Sequence, residues 1–101
     1  MIPSISHHLS EIADICKRYK VRRLELFGSA SREHDFSPAS DADFLVEFDP
    51  LTGADLHSFF GVKEELEKVL GLKIDLVEEG SVRNLYILAD INRNRQSVYG
   101  P

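Results

Sequence analysis

Apolar positions recur along the chain with two periods. Ile5, Leu9, Ile12, Cys16 and Tyr19 follow one another at alternating steps of four and three. That stripe predicts one amphipathic helix, with a serine available as its cap. Val21 to Phe27 reads as a strand that stops at Gly28-Ser29. Residues 30 to 40 are polar, contain Pro38, and predict a short helical turn followed by a loop. From Asp43 to Phe48 the period is two, with Phe44, Val46 and Phe48 on one face and Asp43, Leu45 and Glu47 on the other. Asp49-Pro50 closes that strand.

From about Asp55 to Leu70 the pattern turns helical again. Leu56, Phe59, Phe60, Leu66, Val69 and Leu70 form its expected buried face, and Gly71 suits the position just past a helix end. Gly61 inside this helix costs ~1 kcal/mol against alanine, so a bend or a late start is expected. Leu72 to Val77 predicts a third strand, with Leu72, Ile74 and Leu76 on one face and Asp75 on the other. Gly80-Ser81 then opens a last helix carrying Val82, Leu85 and Ala89, and the polar end "NRNRQSVYGP" is assigned no element. The order predicts an α/β or α+β fold, a small sheet covered by helices. With no internal repeat, linker or low-complexity segment, residues 1–101 are expected to form a single domain.

Composition narrows the function. At 43% hydrophobic residues the chain can build a core. A net charge of −5 argues against direct nucleic-acid binding, which rests on Lys and Arg neutralising phosphates. The single cysteine, Cys16, lies on the apolar stripe and reads as a buried thiol. No apolar run approaches a membrane span, and the N-terminus lacks a signal peptide's charged and apolar regions. A soluble, cytoplasmic protein is expected.

Two like charges, Asp41 and Asp43, stand where a strand enters the core. Side chains at i and i+2 of a strand share a face, and carboxylates that close repel unless a proton or cation lies between them. Asp75 is a third carboxylate in an otherwise apolar strand, and all three converge if the two strands pair. Three oxygen donors with no His or Cys companion suit Mg²⁺ or Mn²⁺ better than zinc. His7, His8, His34 and His57 show no metal spacing. Upstream, Gly28-Ser29 ends a strand and begins a helical turn, where glycine permits close backbone approach and N–H groups attract phosphate. The Ser29 hydroxyl adds a donor and Arg32 a positive charge. Gly-Ser after a strand, that arginine, and then Ser-Asp-x-Asp from Ser40 supply a phosphate cradle and a metal site in one segment. Either part alone has a plainer reading, a polar turn.

As a set, "GSASRE" (Gly28 to Glu33), "SDADFLV" (Ser40 to Val46) and "IDLV" (Ile74 to Val77) resemble the signature of the minimal nucleotidyltransferases of the DNA polymerase β-like superfamily. The resemblance covers roughly residues 10 to 99. It implies a small mixed sheet with helices packed on it, two Mg²⁺ ions, and transfer of a nucleoside monophosphate from an NTP with release of pyrophosphate. Asp41, Asp43 and Asp75 match the catalytic, metal-binding acids, and Gly28 and Ser29 the triphosphate-binding turn, with Arg32 and Ser40 as further nucleotide-binding candidates. Ser31 replaces the family's usual Ala, and Glu33 its second Gly. Minimal forms of this kind resemble the antitoxin halves of two-component systems paired with a HEPN-domain RNase toxin. The resemblance therefore implies AMP transfer from ATP to a tyrosine of that toxin; whether the chain forms a homo- or hetero-oligomer is left open by the sequence. Two alternatives stay open: a catalytically weak antitoxin that neutralises by binding, and a nucleotidyltransferase acting on a small molecule.

Overall fold

The computed structural model describes residues 2–28, 41–51, 55–78, 89 and 95–100. The elements are α1 (Pro3–Ser6), α2 (Leu9–Arg18), β1 (Val21–Phe27), β2 (Ala42–Phe48), α3 (Leu56–Leu70), β3 (Ile74–Glu78) and β4 (Gln96–Tyr99). The strands form one mixed sheet in the order β3-β2-β1-β4. β1 pairs antiparallel with both β2 and β4, whereas β2 and β3 are parallel. A parallel pair requires a crossover, and α3 supplies it.

Alternation along the strands divides the sheet into two faces. Leu24 and Leu26 of β1, Ala42, Phe44 and Val46 of β2, and Ile74 and Leu76 of β3 are buried in the main core. There they meet Ile12, Ile15 and Cys16 from α2 and Val62, Leu66 and Leu70 from α3. Phe44 is fully buried, a contribution of about 1.5–3 kcal/mol from the hydrophobic effect alone. On the opposite face Phe27 and Leu45, with Val77 against them, form a second, smaller cluster. The alternation expected of the second and third strands is the one observed.

Four expectations need correction. The first apolar stripe is two helices, not one, because the chain leaves helical geometry at His8 (φ −122°, ψ 22°). The bend turns Ile2 and Ile5 into the core and leaves Leu9 at 40% exposure. No serine caps either helix: Ile2 and His8 hold the N-cap positions without a side-chain bond. Along α3, Leu56 and Phe60 are exposed, and Val62 takes the buried position instead. The end given no element carries β4. The expected helical turn at 30–40 lies outside the described residues, as does the last helix except for helical Ala89.

α3 is fixed at both ends as its sequence suggests. The Asp55 side chain accepts a hydrogen bond from the Ser58 N–H (3.1 Å), and Gly71 ends the helix in the left-handed region at φ 65°. Gly61 has a different reason to be glycine. A Cβ there would run into the Tyr19 ring, so its absence lets α2 and α3 approach closely.

Candidate active site

Parallel register places Asp43 of β2 directly beside Asp75 of β3. Neighbouring strands lie ~4.8 Å apart, so two carboxylates project side by side from the face opposite the main core. The ladder is fixed at their level by the Ala42 N–H, which donates to the Lys73 carbonyl at 2.9 Å. Asp43 is half-buried and Asp75 exposed. Asp41 precedes β2 by one residue, shares the Asp43 face by alternation, and is exposed. The expected pairing of the two strands is therefore present, and it joins two of the three acids by register. Among the described residues no three His, Cys, Asp or Glu side chains are gathered tightly enough to hold a metal ion, so Asp41 stands at the mouth rather than in a closed triad.

The end of β1 completes this corner. Phe27 pairs with Asp43, and Gly28 follows at φ 68°. A Cβ on Gly28 would collide with Oδ2 of Asp43. Glycine is needed here for its backbone angle and also to leave room for the carboxylate. The phosphate-turn candidate and the acid pair are thus in contact, although they stand far apart in sequence. Ser29, Arg32 and Ser40 lie outside the described residues, as do Ser31 and Glu33.

Two residues along β1, on the same face as Phe27, sits a group whose partner the sequence reading missed. Glu25 is 8% exposed and is gripped by Arg95 through two bonds, Nε to Oε2 at 2.7 Å and Nη2 to Oε1 at 2.6 Å. Arg23 adds an ion pair at 3.1 Å. The hydrogen bond from Arg95, aided by both positive charges and opposed by burial, holds the Glu25 carboxyl below its usual range. The signal was present in the sequence: a glutamate set among Leu24, Leu26 and Phe27 demands cations, and both the start of β1 and the tail supply arginines. Cys16 behaves as expected of a core thiol, pushed up to about 12 by burial and hence unreactive.

Comparison with known proteins decides the family. The model of the nucleotidyltransferase domain matches residues 9–98. The chain belongs to that family. Two relatives from Methanocaldococcus jannaschii, each bearing the name "Putative protein adenylyltransferase", are 36% identical over 94 residues, covering 85% of this chain and 93% of theirs. Among solved structures, one described as a "putative minimal nucleotidyltransferase" superposes with a TM-score of 0.74 at 26% identity, over 90% of this chain and 89% of that one. A toxin-antitoxin structure with AMP-PNP gives a TM-score of 0.69 at 20% identity, over 92% of this chain and 73% of that one. A tri-AMPylated HEPN toxin from Shewanella oneidensis in complex with its MNT antitoxin gives 0.66 at 18%, over 96% and 73%. At these last identities the likeness to this nucleotidyltransferase domain is one of fold. No helix among the described residues is long and apolar enough to cross a membrane.

Proposed function

We propose that this nucleotidyltransferase is a protein adenylyltransferase that moves AMP from ATP to a tyrosine hydroxyl of a HEPN-type toxin, and so acts as its antitoxin. The observation that carries the reading is the register of Asp43 with Asp75, with the Gly28 turn against Asp43. Family membership, the adenylyltransferase names of its relatives, and the fold shared with an AMP-PNP-bound system support it.

Transfer forms a bond from the acceptor oxygen to the α-phosphorus and breaks the bond from that phosphorus to the pyrophosphate oxygen. The hydroxyl proton leaves the acceptor, and pyrophosphate departs with the bonding electrons. Such a reaction is governed by positioning and charge neutralisation more than by covalent help from the protein. Gly28 presents backbone to the triphosphate, and Ser29, Ser40 and Arg32 are its proposed polar and cationic contacts. Asp75, exposed at the sheet edge of the site, is the proposed acceptor of the hydroxyl proton. The all-carboxylate donor set and the open corner that Gly28 leaves at Asp43 fit hard divalent cations, so Asp41, Asp43 and Asp75 would hold two Mg²⁺ ions. When bound, such ions neutralise phosphate charge and activate the attacking oxygen.

Co-expression with the toxin, followed by intact-mass measurement, tests the proposal. The parent chain should add one or more AMP masses to the toxin, and Asp43→Asn should add none and lose protection. Protection by Asp43→Asn of an unmodified toxin would replace enzymatic transfer with neutralisation by binding.

A further inference from the structure

At the opposite end of β1 from the acids lies a cleft of about 390 Å³, lined by Cys16, Lys17, Lys20, Val21, Arg22, Asp49 and Tyr99. Three of the chain's twelve Lys and Arg residues meet there, in a protein of net charge −5. Buried Val21 and Cys16 give it an apolar floor, and half-buried Tyr99 an aromatic wall. Arg22 shares its charge with Glu47 at 3.5 Å. Neither Lys17 nor Lys20 has an acidic ion-pair partner among the described residues. The acid in the lining, Asp49, accepts from the Leu51 N–H through Oδ1 at 2.9 Å.

The backbone holds this cationic arrangement at a cost. Lys20 is the only non-glycine residue with positive φ (61°) among the described residues. It sits just past the end of α2, where glycine or asparagine is the favoured choice. Its carbonyl accepts from the Asp49 N–H at 3.0 Å, which pins the turn and aims the lysine at the cleft mouth. Strain kept at a non-glycine position points to use of its side chain. Opposite, a Cβ at Gly100 would strike the Arg22 carbonyl, so glycine lets the end of β4 close down and bring Tyr99 to the wall.

We propose that this cleft is a second ligand site, separate from the acid corner, for a small polyphosphate-bearing molecule. Lys17, Lys20 and Arg22 neutralise the phosphates, and the Tyr99 and Val21 surface receives any organic part. The volume suits a ligand of nucleotide size. The shared chemistry is the polyphosphate, free or carried on a nucleoside.

The test uses Asp43→Asn protein with Mg²⁺ withheld, which removes metal-assisted binding at the acid corner, and binding left at the Gly28 turn is read separately from the Gly28 amide, so failure there is not confused with failure here. Amide resonances are followed by heteronuclear NMR during titration with inorganic triphosphate and, separately, ATP. Saturating shifts are expected at Lys17, Lys20, Arg22 and Gly100. Adding Lys17→Gln and Lys20→Gly should weaken binding at least tenfold, and Lys20→Gly keeps the left-handed turn, so loss of fold does not explain the result. Equal affinity for both titrants identifies free polyphosphate as the ligand, and tighter ATP binding identifies a nucleotide. Absence of saturation at 10-fold excess over millimolar protein, or equal shifts with sodium chloride at matched ionic strength, overturns the site.

Discussion

Glu25 and Gly28 lie three positions apart on one strand end, and each restricts its neighbourhood differently. The Glu25 carboxylate, clasped by Arg95, is a buried charge whose removal from its partner is costly. Arg95→Met is expected to destabilise the fold by about 1–3 kcal/mol at neutral pH, since the buried carboxylate loses both Arg95 hydrogen bonds and keeps only the Arg23 ion pair. Because the folded-state value of Glu25 is depressed, its stabilisation is present above the ordinary glutamate range. It is lost as pH falls through the depressed value. Urea unfolding at pH 7 and in acid should therefore show the gap between parent and Arg95→Met narrowing in acid; a gap that widens contradicts the pairing. At Gly28 the constraint is steric. Gly28→Ala should cut transfer at least tenfold by displacing the Asp43 carboxylate, whereas Gly71→Ala, with no atom within 4 Å of its Cβ, should cost about 1 kcal/mol of stability and leave transfer intact. Equal loss of transfer in both variants would remove the link between Gly28 and Asp43.

Helix α3 and its contact with α2 show how far element-scale pattern reading reaches. Its span, its Asp55 start and its Gly71 stop were all legible, because capping chemistry is local. The alternation that set Asp43 and Asp75 opposite the core was legible for the same reason. The exposure of Leu56 and Phe60 was not, since it depends on which neighbours α3 meets, and a short polar strand such as "QSVY" carries too little apolar pattern to announce itself. Gly61 looked like a weakness within the helix, and Tyr19 gives it a purpose. Propensity alone predicts that Gly61→Ala stabilises by about 1 kcal/mol. The Tyr19 ring reverses the sign: a loss of about 1–3 kcal/mol is expected from overpacking. In a Tyr19→Ala background the same change should become neutral or favourable, and a thermal-denaturation cycle of the four proteins measures that coupling.

Across the whole molecule, the sheet brings together acids that the chain keeps 32 residues apart in register, Asp43 and Asp75. Like charges directly opposed on neighbouring strands destabilise by roughly 0.2–1 kcal/mol. Asp75→Asn should accordingly raise the Tm by about 1–8 °C in chelator, given ~4–8 °C per kcal/mol at this size, while abolishing transfer. Millimolar Mg²⁺ with a non-hydrolysable ATP analogue should then stabilise the parent more than the variant in differential scanning fluorimetry. An Asp75→Asn protein with parental transfer would take Asp75 out of the chemistry. The sequence motifs made these acids conspicuous, but only the parallel pairing joins two of them and leaves Asp41 at the rim.

β4 lies against β1 through Leu24–Tyr99 and Glu25–Ser97, contacts that close loops of more than seventy residues. Closing a span of that length costs chain entropy before any hydrogen bond forms, whereas the hairpin of β1 with β2 and the crossover to β3 are far more local. Assembly should thus run outward from β1 and β2, with β4 docking late. By the same reasoning β4 is the first strand to lift away, taking the Arg95 clasp and the Tyr99 wall with it. The acid corner rests on the early-forming strands and the basic cleft on the late one, so the two ends of β1 belong to different stages of folding.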